Sequence, residues 1–318
     1  MRTVYFATGR ALTGPADQLA SYNSTNVVPP SDPTQVTYGT AFVEDAGLDA
    51  DTVGAIKSIN TIQQGQFSDS AKGDLSDPGR NLLVFIHGFD NTFENAITRA
   101  AFNQQWFEQS GIAAASMAVV AFSWPSAGKL ISIPFPDMAY RNDQTRAGQS
   151  GLHLMTFFAN LQPLIDAARA KGNRVFLLAQ SMGNWALQAA VESWFVHGNG
   201  DASLFDEAFL AAADEVYNTF EFGPQGRLSG LSRLAKRISI YSSERDDVLK
   251  LSMAVNLGVK RLGQDGPHDR ANGTRFPAAT YRMVDCSAAT DYAFDLASSH
   301  QYYRRSPTVR GDIAKTMG

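Results

Sequence analysis

From Asn81 onward, continuous apolar runs alternate with segments in which apolar residues return at about 3.6-residue spacing. Asn81-Leu-Leu-Val-Phe-Ile-His87 is such a run, as expected of a strand covered on both faces in a parallel sheet. The stripe Phe93, Ala96, Ile97, Ala100, Ala101 and Phe107 follows, with Gln and Glu on the opposite face, and predicts a helix. Further strands are expected at Met117–Ser123, Arg174–Gln180, Phe205–Ala213, Arg237–Ser242 and Tyr281–Asp285. Helical patterns run from about Met138 to Ala170, over Met182–Val196, around Tyr217–Lys236 and over Asp247–Leu257.

Crossovers longer than a hairpin force parallel pairing with right-handed connections, so the fold class is α/β with a doubly wound, mostly parallel sheet. Before Asn81, the β-rich runs Thr3–Thr8, Val36–Val43 and Val53–Ile62 are separated by turn-forming loops, and they are expected to form an antiparallel edge to that sheet. The polar stretch from Gln63 to Gly79 reads as a connection. One domain over residues 1–318 follows, with edge strands and loops in 1–80 and the core in 81–318.

Composition narrows the function. A chain of 318 residues that is 44% apolar and 18% charged is neither disordered nor fibrous, and by size it buries about three quarters of its unfolded surface. The formal charge of −4 and isoelectric point near 5.7 offer no footprint for nucleic acid. Cys286, the single cysteine, can form neither an internal disulfide nor a zinc cluster and points to a reducing compartment. The apolar run after Met1 is too short for a secretory signal. The longest mostly apolar stretch, Gly111–Trp124, falls short of the roughly 18 residues of a membrane span. A cytoplasmic protein is expected. No glycine-rich phosphate loop, carboxylate cluster or His-x-x-x-His spacing occurs, so no metal or other cofactor is implied. The oligomeric state leaves no mark.

Candidate chemistry centres on Leu178-Ala-Gln-Ser181-Met-Gly-Asn-Trp185, where a buried strand turns into a helix. A tight turn there puts the Ser181 hydroxyl on a strained apex above the carboxyl end of the sheet, with the small Ala179 and Gly183 on either side. The alternative role for Ser181 is a helix cap. A serine nucleophile needs a base within hydrogen-bond reach and an acid to orient the base, and in such an elbow they follow in the order serine, acid, histidine. Of the histidines after Ser181, His197 lies at the far end of the elbow helix, on the order of 20 Å away, and His268 precedes the last strand. His300 follows that strand, on the carboxyl side, and is the candidate base. Asp246, in Ser-Glu-Arg-Asp-Asp after Ser242, is the candidate acid, although Asp246 or Asp247 could instead cap the next helix, and Asp214 is a competitor one crossover earlier. The backbone N–H groups of Met182 and of Phe89, in His87-Gly-Phe-Asp90, are candidate oxyanion donors. Trp124 and Trp185 are candidate substrate-binding residues; Pro125, Phe135, Phe89 and Tyr302 could also line an acyl pocket, although aromatics at such positions are more often core.

The segments VFIHGFDNTFENAITRAAF, AFSWPSAG, LLAQSMGNW, IYSSERDDVLKLS and VDCS…SSHQYYRRSP together resemble a bacterial α/β-hydrolase family classed as of unknown function and described as lipase- or esterase-type. VYFATGR and YGTAFVEDA are similar to its amino end. Its elbow usually reads Ala-His-Ser-Met-Gly-Asn, and Gln180 departs from it. The resemblance implies the α/β-hydrolase fold and a triad of Ser181, Asp246 and His300, and it implies no substrate. The expected function is a serine hydrolase cleaving small-molecule carboxylic esters through an acyl-enzyme. The alternatives are thioester or amide hydrolysis or acyl transfer on the same site, or a binding protein that retains the fold.

Overall fold

A computed structural model describes residues 1–28, 35–45, 54–112, 116–126, 137–224 and 226–318. Among them, nine strands form one sheet: β1 (Arg2–Thr8), β2 (Thr37–Val43), β3 (Ile56–Ile62), β4 (Asn81–Ile86), β5 (Met117–Ser123), β6 (Val175–Gln180), β7 (Glu207–Ala211), β8 (Ile238–Ser242) and β9 (Tyr281–Asp285). Their order is β3-β2-β1-β5-β4-β6-β7-β8-β9. β3-β2-β1 is the antiparallel edge, and every pair from β1-β5 to β8-β9 is parallel. β5, β6, β7 and β8 are buried along their whole length, which is why β5 and β6 read as nearly unbroken apolar runs, while the polar Glu207 of β7 and Ser239 of β8 pair with each other.

Helices cover both faces. On one, α1 (Phe67–Leu75), α4 (Gly151–Ala170) and α5 (Gly183–Val196) pack against the residues of β4, β5 and β6 that point their way, among them Leu82, Val120 and Leu177. On the other, α2 (Phe93–Glu108) packs on Phe85, Val119 and Phe176. The chain therefore leaves β4 toward one face and β6 toward the other, and a crevice opens between their carboxyl ends. The candidate residues lie around that crevice.

Several boundaries differ from the sequence reading. The stretch assigned to a polar connection holds α1, whose inward face is only Phe67, Ala71 and Leu75. The long helical pattern from Met138 divides at Ser150 into α3 (Asp137–Gln149) and α4. The pattern around 217–236 forms short 3-10 turns, Thr219–Glu221 and Arg227–Arg233. Val53 and Phe135 lie outside the described residues. No described helix is long and apolar enough to cross a membrane.

The start of α4 lies against α5 so closely that a Cβ on Gly151 would stand 2.6 Å from the Cβ of Ala189 and 2.7 Å from its carbonyl carbon. Gly151→Ala should therefore destabilise the protein by about 1–3 kcal/mol, because one helix must shift. Denaturant unfolding checks this; an unchanged midpoint would show that the contact is soft.

Candidate active site

Ser181 sits between β6 and α5 with φ +55°, a left-handed conformation uncommon for a residue with a side chain. Close approach maintains it. A Cβ on Gly183 would lie 2.5 Å from the carbonyl oxygen of His87 and 2.8 Å from that of Ile86, so the first turn of α5 fits against the end of β4 only because that position is glycine. The Ser181 carbonyl accepts from the Asp214 amide (3.1 Å) and from Asn184 Nδ2 (3.0 Å). The side chain is left at the crevice.

Three further segments converge there. His300 is the C-cap of α7 (Leu296–Ser299), and its Nε2 is 2.7 Å from Ser181 Oγ. Its Nδ1 is 2.7 Å from Asp246 Oδ2. Asp246 is fully buried at the end of the β8 loop, and its other oxygen accepts from the Leu249 amide (2.9 Å), capping α6 (Asp247–Val255). The cap and the contact with histidine thus use different oxygens of one carboxylate. Ser299 Oγ accepts from the Asp247 amide (3.1 Å) and ties the histidine segment to the acid segment. Asp247 itself turns outward to Lys250.

Electrostatics follow from burial and proximity. Burial works against a charged His300, but the charge of Asp246 and its hydrogen bond outweigh that, so the imidazole pKa lies above the ordinary 6.5. Burial likewise pushes the Asp246 carboxyl up, against the opposing pull of His300. Asp214, the competing acid, is turned away from the imidazole: its carboxylate accepts from Tyr140 Oη (2.9 Å) and Ser252 Oγ (2.5 Å), and Arg261 lies 3.6 Å off. His197 and His268 are bound to Ser193 and Glu221, away from the crevice.

The loop after β4 faces Ser181 from the other side. A Cβ on Gly88 would lie 2.6 Å from Ser181 Cβ and would strike the Gln180 side chain, so the loop passes directly over the elbow. Asn91 Nδ2 donates to the carbonyls of Gly88 (3.0 Å) and Phe89 (2.8 Å). His87 Nδ1 is 2.9 Å from the same Gly88 oxygen. Burial holds His87 neutral, its pKa down to about 3, and one nitrogen alone then carries a proton. Among the described residues, the amides of Phe89 and Met182 have no hydrogen-bond partner.

A cavity of about 180 Å³ adjoins Ser181 and His300. Val248, Leu251 and Val255 of α6, with Leu296, form an apolar wall, while Tyr140, Asp214 and Ser252 form a polar end. Phe89 and Gln180 also face it. The two tryptophans expected to bind substrate lie elsewhere. Trp124 is fully buried and stacked on the His87 ring at 5.0 Å, and its Nε1 donates to the His87 carbonyl (2.7 Å), so it supports the β4 loop from behind. Trp185 follows α5 away from the elbow, to Gly148 and to a position under the Arg227 guanidinium (5.4 Å). Tyr302 is core, its hydroxyl on the Tyr241 carbonyl. The α6 wall went unread, although Val248, Leu251 and Val255 at helical spacing just after Asp246 carried its signal.

Residues 64–316 match the model of a family described as alpha/beta hydrolase of unknown function (DUF900). The chain belongs to this α/β-hydrolase family. No curated protein matches the chain. Membership accounts for the parallel strands β4 to β9 and their interleaved helices, the antiparallel edge lying before the matched residues, and it leaves the substrate open.

Among the described residues no group of three or more His, Cys, Asp or Glu side chains could hold a metal ion. Cys286 is buried, and burial pushes its thiol up to about 12, so it is no nucleophile at neutral pH.

An NMR titration of the His300 imidazole should give a pKa above 6.5 in the native chain. In Asp246→Asn it should be lower than in the native chain, because burial then acts with only the more distant charge of Asp214 against it. Equal values in the two proteins would show that the carboxylate does not govern the imidazole.

Proposed function

We propose that this α/β-hydrolase cleaves carboxylic esters, with Ser181 as nucleophile, His300 as general base and acid, and Asp246 as the group that orients and charge-balances the imidazole. One observation carries the reading: a buried imidazole stands 2.7 Å from a serine hydroxyl on one side and 2.7 Å from a buried carboxylate on the other. A hydrogen-bond chain of that order makes a weak nucleophile competent at neutral pH.

Ser181 Oγ attacks the acyl carbon while its proton passes to His300 Nε2, and the carbonyl oxygen becomes an oxyanion. The amides of Phe89 and Met182 stabilise that charge. Collapse of the tetrahedral adduct breaks the bond to the alcohol, which leaves with the proton from His300. Water, deprotonated by the same imidazole, then attacks the acyl-enzyme and releases the acid and the free serine. The cavity beside Ser181 suits a compact acyl group, with its apolar wall against the chain.

Thioester and amide hydrolysis or transfer to another acceptor would pass through the same intermediate, and competing nucleophiles added to the assay separate transfer from hydrolysis. A binding protein that merely retained the fold has no use for this relay.

A fluorophosphonate probe should label Ser181 at one equivalent per chain, and Ser181→Ala should lose hydrolysis of short p-nitrophenyl esters by about 10⁴-fold or more. Comparable turnover by that variant would refute the assignment. Because His300 must be neutral to accept the serine proton and its pKa is raised, kcat/KM should increase with pH along a limb whose midpoint lies above 6.5. A midpoint well below 6.5 would remove His300 as the base.

A further inference from the structure

Behind the loop that faces Ser181 lies a side chain with no part in the relay. Arg10, just beyond β1, is 1% exposed and buried at the meeting point of three loops. Its Nε donates to Ser123 Oγ (3.1 Å) and its Nη1 to the Ser24 carbonyl (3.2 Å). Its Nη2 faces the carbonyls of Asn91 (3.0 Å), Trp124 (2.8 Å) and Ser126 (3.2 Å). All five acceptors are neutral, and burial lowers the guanidinium pKa to about 9 despite the nearby charge of Asp143. At neutral pH the group is still charged. If the space only needed filling, an apolar side chain would do it at lower desolvation cost; what arginine adds is a rigid fork of donors.

That fork acts on the two loops that frame the oxyanion position. Asn91 is held at its carbonyl by Arg10 and at its amide by Ser126 Oγ (3.2 Å). Its side chain then fixes the carbonyls of Gly88 and Phe89. The Trp124 carbonyl, held by Arg10, is 3.1 Å from His87 Nε2, and His87 Nδ1 is 2.9 Å from the Gly88 carbonyl; the neutral imidazole donates to one of the two, so Asn91 is the link that joins Arg10 to the Gly88 oxygen. In a trans peptide the N–H points opposite to the C=O. Fixing the Gly88 oxygen from the Arg10 side therefore turns the Phe89 N–H toward the opposite side.

We propose that Arg10 is a positioning residue for the oxyanion-stabilising amide of Phe89, acting through Asn91 and the carbonyls of the β4 and β5 loops. The proposal rests on the serine-hydrolase reading, and its test separates the two. Native enzyme, Arg10→Met and Arg10→Lys are compared in fluorophosphonate labelling rate, in kcat and KM for a short p-nitrophenyl ester, and in affinity for an alkyl boronic acid that forms a tetrahedral adduct on serine. Folding is monitored by near-ultraviolet circular dichroism.

Arg10→Met should lower kcat, labelling rate and boronate affinity together by about 10²–10³, the usual effect of losing one oxyanion donor, with KM within about threefold. Arg10→Lys keeps the charge without the fork and should fall between. Asn91→Ala added to Arg10→Met should cost little more, because both act on the same peptide. Folded variants that label and turn over like the native enzyme would overturn the proposal, as would a change confined to KM. Failure of both arginine variants to fold would assign Arg10 to stability alone and also overturn it. A native enzyme that the probe does not label refutes the serine-hydrolase reading itself, and this proposal with it.

Discussion

The left-handed backbone at Ser181 is the constraint on which the rest of the crevice depends. A non-glycine residue at φ +55° carries strain of order 1–3 kcal/mol and persists only where its surroundings leave no alternative. Here they are two close approaches: α5 begins backbone against backbone with the end of β4 at Gly183, and the β4 loop passes over the Ser181 Cβ and the Gln180 side chain at Gly88. Relaxing the φ of Ser181 would move the helix start and redirect the hydroxyl that now stands 2.7 Å from His300. The two glycines and the strained serine are thus one steric solution, and it is available only because β4 and β6 are neighbours in the sheet.

Charge at the crevice is organised by burial. Asp246, His300 and Asp214 are all nearly inaccessible, yet each carboxylate is answered by different donors, Asp246 by the imidazole and the α6 amide, Asp214 by two hydroxyls. That division leaves the imidazole one hydrogen-bonded acid, Asp246, while Asp214 adds its charge from farther off. On the opposite side His87 is kept neutral, so no imidazolium competes with the amides of the β4 loop. In a water-poor setting fixed dipoles count for far more than in solvent, which is why the orientation of a few carbonyls is worth a buried guanidinium.

Much of this was legible in the sequence, for physical reasons. Parallel strands buried on both faces are rich in apolar residues, and β4, β5 and β6 were visible as near-continuous runs of them; the elbow showed as a serine flanked by small residues at a strand-to-helix junction. Position at the carboxyl edge let His300 be chosen over His268, while helix length removed His197; the same edge pointed to Asp246 but left Asp247 and Asp214 in competition with it. α1 escaped because a helix that buries only Phe67, Ala71 and Leu75 has almost no apolar density. Trp124 and Trp185 misled because aromatic side chains serve cavity walls and packing equally well, and sequence carries no sign of which way an indole points. Arg10 could not be read at all: its five partners lie at positions 24, 91, 123, 124 and 126, brought together only by the fold.

The central claim is that Ser181 carries the acyl group during turnover. Native enzyme mixed rapidly with excess p-nitrophenyl acetate, quenched in acid within a turnover and digested for mass spectrometry, tests it directly. The account predicts an acetyl group on the peptide containing Ser181, appearing no more slowly than nitrophenolate and absent from Asp246→Asn quenched at the same time. Sustained hydrolysis with Ser181 unmodified at every time, or with the acetyl group confined to another residue, would contradict it.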